Sequence, residues 1–254
     1  MISICEYTSL DWVYIWMRYF IISFITYSIF AYIIKRILYP FRKEFSSPPI
    51  ARWQNGHEST FFISPDYWWA FRFKSRLKAN VTGEKVKEEL KDYVDINNKI
   101  NFCISVIIMV LNFLVYEYAH DYFCSKALMC IAFIRFISRS YEITYAFVCD
   151  IFQQHESVTG LNKHERIRLA LFSYLEIFFY SAAAYMLLPQ INSVYDAVTM
   201  SLSVGTLTNV GYAFNFCGQN TPFITNIVFV QVFATLSLVV LSLAVYLSRK
   251  DGDT

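Results

Sequence analysis

A stretch of small, hydroxylated and glycine residues between positions 203 and 213 carries the most distinctive chemistry of the chain. It reads Ser-Val-Gly-Thr-Leu-Thr-Asn-Val-Gly-Tyr-Ala and contains no Asp, Glu, Lys or Arg. Its hydroxyls, its side-chain amide and its glycine-rich backbone offer many oxygen ligands without a fixed charge. Such oxygens can replace the hydration shell of a cation. The stretch therefore favours coordination of a cation by oxygen.

A second group with chemical potential consists of ionisable residues inside otherwise apolar segments, namely Arg135, Arg139, Glu142 and Glu176. Ionisable groups at membrane depth face protein or water. At 1.5 Å per residue, Arg139 and Glu176 lie at heights that differ by only about 5 Å, which predicts a structural ion pair. The alternative, a voltage sensor, needs several basic residues at every third position. The spacing after Lys126 is nine and then four residues.

The residue types that dominate enzyme active sites do not form recognisable motifs. The four histidines and six cysteines show neither Cys-x-x-Cys nor His-Glu-x-x-His spacing, and no glycine-rich phosphate loop or nucleophile motif is present. We therefore expect no enzymatic activity, no cofactor and no bound metal beyond a cation at the oxygen-rich stretch. Cys5, Cys124 and Cys217 fall on the same predicted side of the membrane, where one disulfide is possible.

The elements that hold these residues are predicted to be membrane helices. Hydrophobic residues make up 56% of the 254 residues and charged residues only 17%, whereas soluble chains carry about 25% charged residues. A bilayer core of about 30 Å needs roughly 20 apolar residues per helix. Five segments meet this requirement: 13–34, 100–118, 127–149, 169–188 and part of 197–248.

The distribution of basic residues predicts the orientation of these spans. Thirteen of the 22 Lys and Arg residues lie between positions 35 and 99, and others follow at 163–168 and 249–250. The segments 1–12, 120–125 and 189–221 contain none. Because basic loops stay in the cytoplasm, we predict five crossings with the N-terminus outside and the C-terminus inside.

The uncharged run 197–248 is too long for one crossing and must turn back. Glycines at 205, 211 and 218, followed by Pro222, interrupt it. Ser193 and Asp196 have the form of a helix start, which predicts a short helix over 194–206. A long apolar segment, 223–247, then crosses the membrane.

A half-crossing helix followed by non-helical backbone at membrane depth is a re-entrant loop, and such backbone is tolerated only inside protein or beside a water-filled cavity. The negative C-terminal end of this short helix would attract a cation. The predicted fold class is thus all-α integral membrane, with five transmembrane helices, a re-entrant helix and a loop after it.

At these residues the sequence resembles the pore domain of the potassium channel family. Thr206 to Ala213 reads Thr-Leu-Thr-Asn-Val-Gly-Tyr-Ala, which is similar to the family's filter motif Thr-x-Thr-Thr-Val-Gly-Tyr-Gly. The order of outer helix, pore helix, filter and inner helix also matches, over roughly residues 166–248. The resemblance implies a four-fold homotetramer, since one chain supplies a quarter of the ring. The implied ion-filter residues are Thr208, Asn209, Val210, Gly211, Tyr212 and Ala213.

Two positions depart from the family pattern. Asn209 stands where the family has a threonine whose hydroxyl forms the innermost ion site. Ala213 stands where the family has its second glycine, and that position generally requires positive φ, which costs a residue with a Cβ about 1 kcal/mol or more. Selectivity for potassium over sodium depends on both positions.

One face of the last predicted span carries Gln231, Thr235, Leu238 and Ser242 at helical spacing. Two interpretations stay open. The face lines a wet inner cavity, or its polar groups bond the helix backbone and a neighbouring helix. No glycine lies between 223 and 247, so a wide swinging hinge is not expected.

The predicted organisation has four parts: a transmembrane helix at 1–38, a cytoplasmic basic segment at 39–99, two peripheral transmembrane helices with an inner linker at 100–165, and the channel-like part at 166–254. Within the cytoplasmic segment, 66–79 is basic and aromatic, which is typical of a membrane-surface helix. The expected partners of the 39–99 segment are anionic lipid and a cytoplasmic regulatory protein. Positive-inside bias accounts for the basic residues, so no nucleic acid is expected.

The sequence thus supports two hypotheses. The first is a tetrameric channel subunit for monovalent cations, most plausibly potassium, in a plasma membrane or bacterial inner membrane. The alternative is a non-conducting membrane sensor or scaffold. It would assemble through the channel-like core and bind an intracellular partner through 39–99.

Overall fold

The computed structural model describes residues 9–38, 59–80, 84–119, 123–152, 161–188, 191, 193–216 and 222–243. Every regular element in these ranges is helical. In chain order the helices are α1 Ser9–Leu38, α2 Thr60–Ile63, α3 Pro65–Asn80, α4 Glu84–Ala119, α5 Phe123–Phe152, α6 Lys163–Tyr185, α7 Val194–Gly205, α8 Val210–Phe216 and α9 Pro222–Thr235. The last of these continues as π-helical turns over Leu236–Leu243. The predicted all-α class is confirmed for this part of the chain.

Three of the helices are long and apolar enough to cross a membrane, over Met17–Ile37, Leu90–Tyr118 and His164–Tyr185. They belong to α1, α4 and α6. The remaining two predicted crossings do not meet that standard within the described ranges. Helix α5 has 30 residues but contains several ionisable side chains, and the apolar stretch of the C-terminal helix, Ile224–Val239, is shorter than a full crossing.

Helices α1 and α5 lie side by side and run in the same direction. At one end the Ser23 hydroxyl donates to the Ala127 carbonyl at 3.0 Å. Further along both helices, the Lys35 ammonium lies 3.7 Å from a Glu142 carboxylate oxygen. Since the residue numbers rise together, the two helices are parallel, as alternate crossings require.

Helix α6 runs in the opposite direction to α5. Arg135 contacts Tyr180, whereas Arg139, one turn later in α5, contacts Glu176, one turn earlier in α6. This antiparallel arrangement places the ionisable residues of both helices at the same level.

Helix α6 forms the centre of the bundle and packs against α4, α5, α7 and α9. Its second half includes Ala182, Ala183 and Ala184, all fully buried. Small side chains let neighbouring helix backbones approach closely in membrane proteins. This alanine run therefore allows other helices to pack closely around α6.

Side-chain caps begin helices α6 and α7. The Ser193 hydroxyl accepts from the Asp196 backbone N–H at 3.1 Å, so the start predicted for the short helix is confirmed. Helix α6 begins with a reciprocal capping box, in which Asn162 and Glu165 each bond the other's backbone N–H at 2.9 Å.

The segment that we expected on the membrane surface is packed into the bundle instead. Helix α3 contacts α1 and α5, and Asp66 near its start is fully buried. The segment 39–58, which makes up the first part of the predicted cytoplasmic region, lies outside the described residues.

Candidate functional site

The candidate site lies where the short helix α7 ends. Its 12 residues correspond to about 18 Å, which is too short to cross a bilayer core of about 30 Å. Hydrogen bonds with α6 hold it, including one between the Ser181 and Ser201 hydroxyls at 2.6 Å and one from the Tyr174 hydroxyl to the Gly205 carbonyl at 3.2 Å. Helix α7 is therefore fixed at both its middle and its end.

A tight turn over residues 206–209 follows α7. The Thr206 and Leu207 backbone N–H groups bond back into α7 at 2.9 and 3.0 Å, and the hydroxyls of Thr206 and Thr208 lie 2.8 Å apart. Thr206, Thr208 and Asn209 are exposed on the surface of the chain. The turn thus presents several oxygen atoms outward without any charged group.

The backbone strain at this turn lies at Leu207, not at Ala213. Leu207 has φ 58°, and it is the only non-glycine residue of the described ranges with positive φ. The left-handed conformation costs an L-residue about 1–2 kcal/mol. The resemblance to the potassium channel family placed this strain at Ala213, and that expectation is wrong.

We predict that Leu207→Gly stabilises the folded chain by about 1 kcal/mol, because glycine adopts positive φ without the Cβ penalty. Thermal unfolding in detergent measures the effect. The matched control is Leu202→Gly, an exposed residue within α7, which should destabilise the chain by about 1 kcal/mol. A loss of stability in Leu207→Gly equal to that of the control would contradict the assigned strain.

Residues 210–216 form helix α8, which differs from the non-helical backbone expected for Val210, Gly211, Tyr212 and Ala213. The Asn209 side-chain oxygen accepts from the Tyr212 backbone N–H at 3.1 Å. This is the geometry of a helix N-cap, a position that asparagine favours. The residue that departs from the family motif is therefore the residue that starts the helix.

The helical conformation changes what these residues can coordinate. Backbone carbonyls within an α-helix point along the helix axis toward their own N–H partners, so they do not converge on a shared ion path. Ala213 is fully buried against the core, while Thr208, Asn209 and Gly211 are exposed. In this conformation the oxygen atoms open to a ligand are those of the turn, not those of 210–213.

The polar face predicted on the last span lies inside the chain. Gln231 is 0% exposed, and Thr235 and Leu238 are also buried. The Gln231 amide donates to the Ser201 carbonyl at 2.9 Å and accepts from the Tyr185 hydroxyl at 2.8 Å. In this conformation these side chains face neighbouring helices of the same chain. Gln231 connects α9 to α7 and α6; the side chain of Ser242 lies outside the described residues.

The surface of the last helix that faces away from the rest of the chain is apolar. Phe229 and Phe233 are 63% and 67% exposed, and Leu236 and Val239 are also exposed. Polar side chains satisfied by neighbouring helices face inward, and aromatic and aliphatic ones face outward. This is the distribution expected of a helix in lipid or against another subunit.

The ion pair that the sequence predicts between Arg139 and Glu176 is present. The guanidinium donates from Nε and Nη2 to the two Glu176 oxygens at 2.6 and 2.8 Å, and both side chains are almost entirely buried. Arg139 also pairs with Glu142, which lies near Lys35. Two parallel bonds from a planar guanidinium to one carboxylate form a strong, directional contact.

Arg135 is the second buried guanidinium, and it joins four helices. It bonds Tyr180 of α6 and Asn101 of α4 at 2.9 Å, lies 3.9 Å from Asp66 of α3, and sits 5.8 Å from the Tyr27 ring of α1. Sequence reasoning missed these partners. Asp66 was assigned to the cytoplasmic segment, and a lone Asn or Tyr gives no pattern signal.

Metal and disulfide chemistry find no support among the described residues. They contain no group of three or more His, Cys, Asp or Glu side chains that could hold a metal ion. Cys103 and Cys130 are free. Cys5, Cys217 and the side chain of Cys124, which we considered for a disulfide, lie outside the described residues.

Comparison with known proteins yields no match: no family model, no curated protein and no solved structure is similar to this chain.

Proposed function

We propose that the chain is a subunit of a homotetrameric channel for monovalent cations, with potassium as the expected ion. The observation that carries the proposal is the order and placement of α6, α7, the 206–209 turn and α9. A half-length helix, held between two long helices, ends at an exposed turn rich in uncharged oxygen atoms. Four copies around an axis would bring these turns together.

The proposal includes five crossings, with α5 and the α9 segment added to the three apolar helices. The parallel arrangement of α1 and α5 and the antiparallel arrangement of α5 and α6 support it. A buried, paired charge is the form in which Arg tolerates membrane depth, which accounts for α5. In this topology the N-terminus is outside and the C-terminus is inside a plasma membrane or bacterial inner membrane.

The helical state of 210–216 is then the non-conducting state. Conduction requires α8 to unwind, so that the carbonyls of Thr208 to Ala213 become available to ions. An isolated helix of seven residues is marginal in stability, so the change is energetically accessible. Capping by Asn209 opposes it.

Potassium flux from proteoliposomes tests the proposal. Gly211→Val should abolish flux, because a branched side chain would hinder the extended filter. The structure offers the added Cβ no contact closer than 3.8 Å, so the variant folds normally in the helical state. Leu202→Val, on the exposed face of α7, is the matched control and should conduct normally. Equal flux from wild type and Gly211→Val would contradict the channel.

The same assay tests the role of α8. Ala213→Gly lowers the helix propensity by about 1 kcal/mol, which should raise flux by roughly fivefold if unwinding limits conduction.

A second function is favoured by the helical state of 210–216 and the burial of Gln231. It is a non-conducting membrane sensor or scaffold that assembles through the same core. In this case wild type, Gly211→Val and Ala213→Gly show no flux, yet the purified protein is still tetrameric in native mass measurements. Both functions include binding of anionic lipid and a cytoplasmic partner by the part of 39–99 that does not pack beside α1.

A further inference from the structure

The segment α2–α3 lies alongside a membrane-spanning helix rather than beyond its end. The rings of Phe61 and Phe62 lie 5.8 and 6.4 Å from the ring of Phe24 in α1, and Trp69 lies 4.6 Å from Tyr32. Phe24 and Tyr32 both fall within the candidate span Met17–Ile37. Phe24 is 13 residues before the end of that span, which corresponds to about 20 Å.

The backbone N–H groups at the break between α2 and α3 bond to protein acceptors, as a dry environment requires. Ser64 donates its N–H to the Thr60 carbonyl at 2.7 Å and accepts from the Trp68 N–H at 3.1 Å. Its hydroxyl also accepts from the Tyr67 N–H at 3.1 Å. Pro65 has no N–H to satisfy. The first turn of a helix usually leaves such N–H groups to water, and here protein atoms take them.

Ser138 in the middle of α5 holds the break in place. Its carbonyl accepts from the Ser64 hydroxyl at 2.8 Å, and its own hydroxyl donates to the Asp66 carboxylate at 3.2 Å. The Asp66 backbone N–H also reaches this hydroxyl at 3.4 Å. Both Ser64 and Asp66 are fully buried. These contacts all involve the residues at the break between α2 and α3.

The outer surface of the same segment is apolar. Phe62 is 75% exposed and Ile63 is 48% exposed. On α1 beside them, the exposed residues are also aliphatic, such as Ile25 and Ile29. A soluble domain would cover such a surface, whereas lipid hydrocarbon accepts it.

We infer that residues 60–73 form a re-entrant arm that enters the bilayer beside α1, contacts lipid hydrocarbon through Phe62 and Ile63, and is locked by Ser138. The arm is a second half-crossing element in addition to α7. The inference requires only that α1 crosses the membrane, and it stands whether or not the chain conducts ions.

Nitroxide accessibility in liposomes tests the depth of the arm. A spin label is attached at Phe62→Cys in full-length chain whose native cysteines are replaced. Ile29→Cys on α1 is the hydrocarbon control, and Glu88→Cys, exposed and before the α4 span, is the water control. We expect the label at 62 to match the label at 29, with several-fold greater preference for oxygen over a polar nickel complex than the label at 88. A preference at 62 equal to that at 88 would overturn the inference.

Thiol labelling tests the lock. A membrane-impermeant maleimide should react with Phe62→Cys about tenfold faster once Ser138→Ala removes the hydroxyl, because a lost buried hydrogen bond of this kind favours local opening. Ser140→Ala is the matched control, since the Ser140 hydroxyl is buried on the same helix without a hydrogen-bond partner. Equal labelling rates in the two variants would show that Ser138 does not hold the arm.

Discussion

Arg139→Gln is expected to lower the unfolding free energy of the chain by about 3–5 kcal/mol, the range measured when one partner of a buried ion pair is removed. The substitution leaves the fully buried Glu176 and the nearby Glu142 without the guanidinium that neutralises them. Two carboxylates would then share a site of low dielectric constant. Unfolding in a detergent series, followed by circular dichroism, measures the loss.

The surface pair Arg168 and Asp95 provides the control. Their charged atoms lie 2.8 Å apart, but Arg168 is half exposed, so Arg168→Gln should change stability by no more than about 1 kcal/mol. In a double-mutant cycle, Arg139→Gln with Glu176→Gln should cost clearly less than the sum of the single changes. Simple additivity would mean that the two side chains do not stabilise each other.

Gln231→Leu is expected to cost about 3 kcal/mol, although leucine is the more apolar residue for a membrane helix. The change removes two buried hydrogen bonds, one from the Tyr185 hydroxyl to the Gln231 amide oxygen and one from the Gln231 amide N–H to the Ser201 carbonyl. Two such bonds, at up to about 1.5 kcal/mol each, account for the expected loss. The same unfolding assay reads out this loss in the absence of any ion gradient.

Thr235→Val separates this explanation from a general effect of polarity. Thr235 lies one turn further along and is buried, but its hydroxyl has no hydrogen-bond partner. Removing that hydroxyl should leave stability unchanged or raise it by about 1 kcal/mol. The pore-lining interpretation would be supported if neither substitution changed the stability of the chain and Gln231→Leu altered ion flux.

The charges clustered around the middle of α5 form a balanced set. Three basic side chains, Lys35, Arg135 and Arg139, lie among three acidic ones, Asp66, Glu142 and Glu176. A voltage sensor needs basic residues that move across the field. Here Arg139 is held by two carboxylates, so displacement would break several buried contacts. The arrangement supports a structural role for these charges.

Two features of the site could be predicted from the positions of residues along the chain. Ser193 three residues before Asp196 is enough to start α7, since a cap involves only one turn of chain. The pair of Arg139 and Glu176 follows from helix rise and the alternation of crossings, because an ion isolated at membrane depth has few alternatives.

The positions of α8 and of the arm could not be predicted in this way. The filter motif describes backbone that is assembled into a ring. Asn209 instead favours a helical conformation by capping α8, and the motif does not indicate which of the two conformations is more stable. Basic residues around α3 indicated the cytoplasm, but the contacts that pull Asp66 inward come from Ser138 and Arg135, more than 65 positions away.

The sequence by itself determined that the chain is helical and apolar, where α7 begins, and which two charges pair between α5 and α6. Only the tertiary structure decided that Gln231 faces inward, that strain lies at Leu207, and that residues 60–73 pack beside α1. The physical reason is the same in each case. A periodic pattern shows which residues share a helix face, but the partner of that face depends on polar groups on other helices that must each find a hydrogen bond once water is removed.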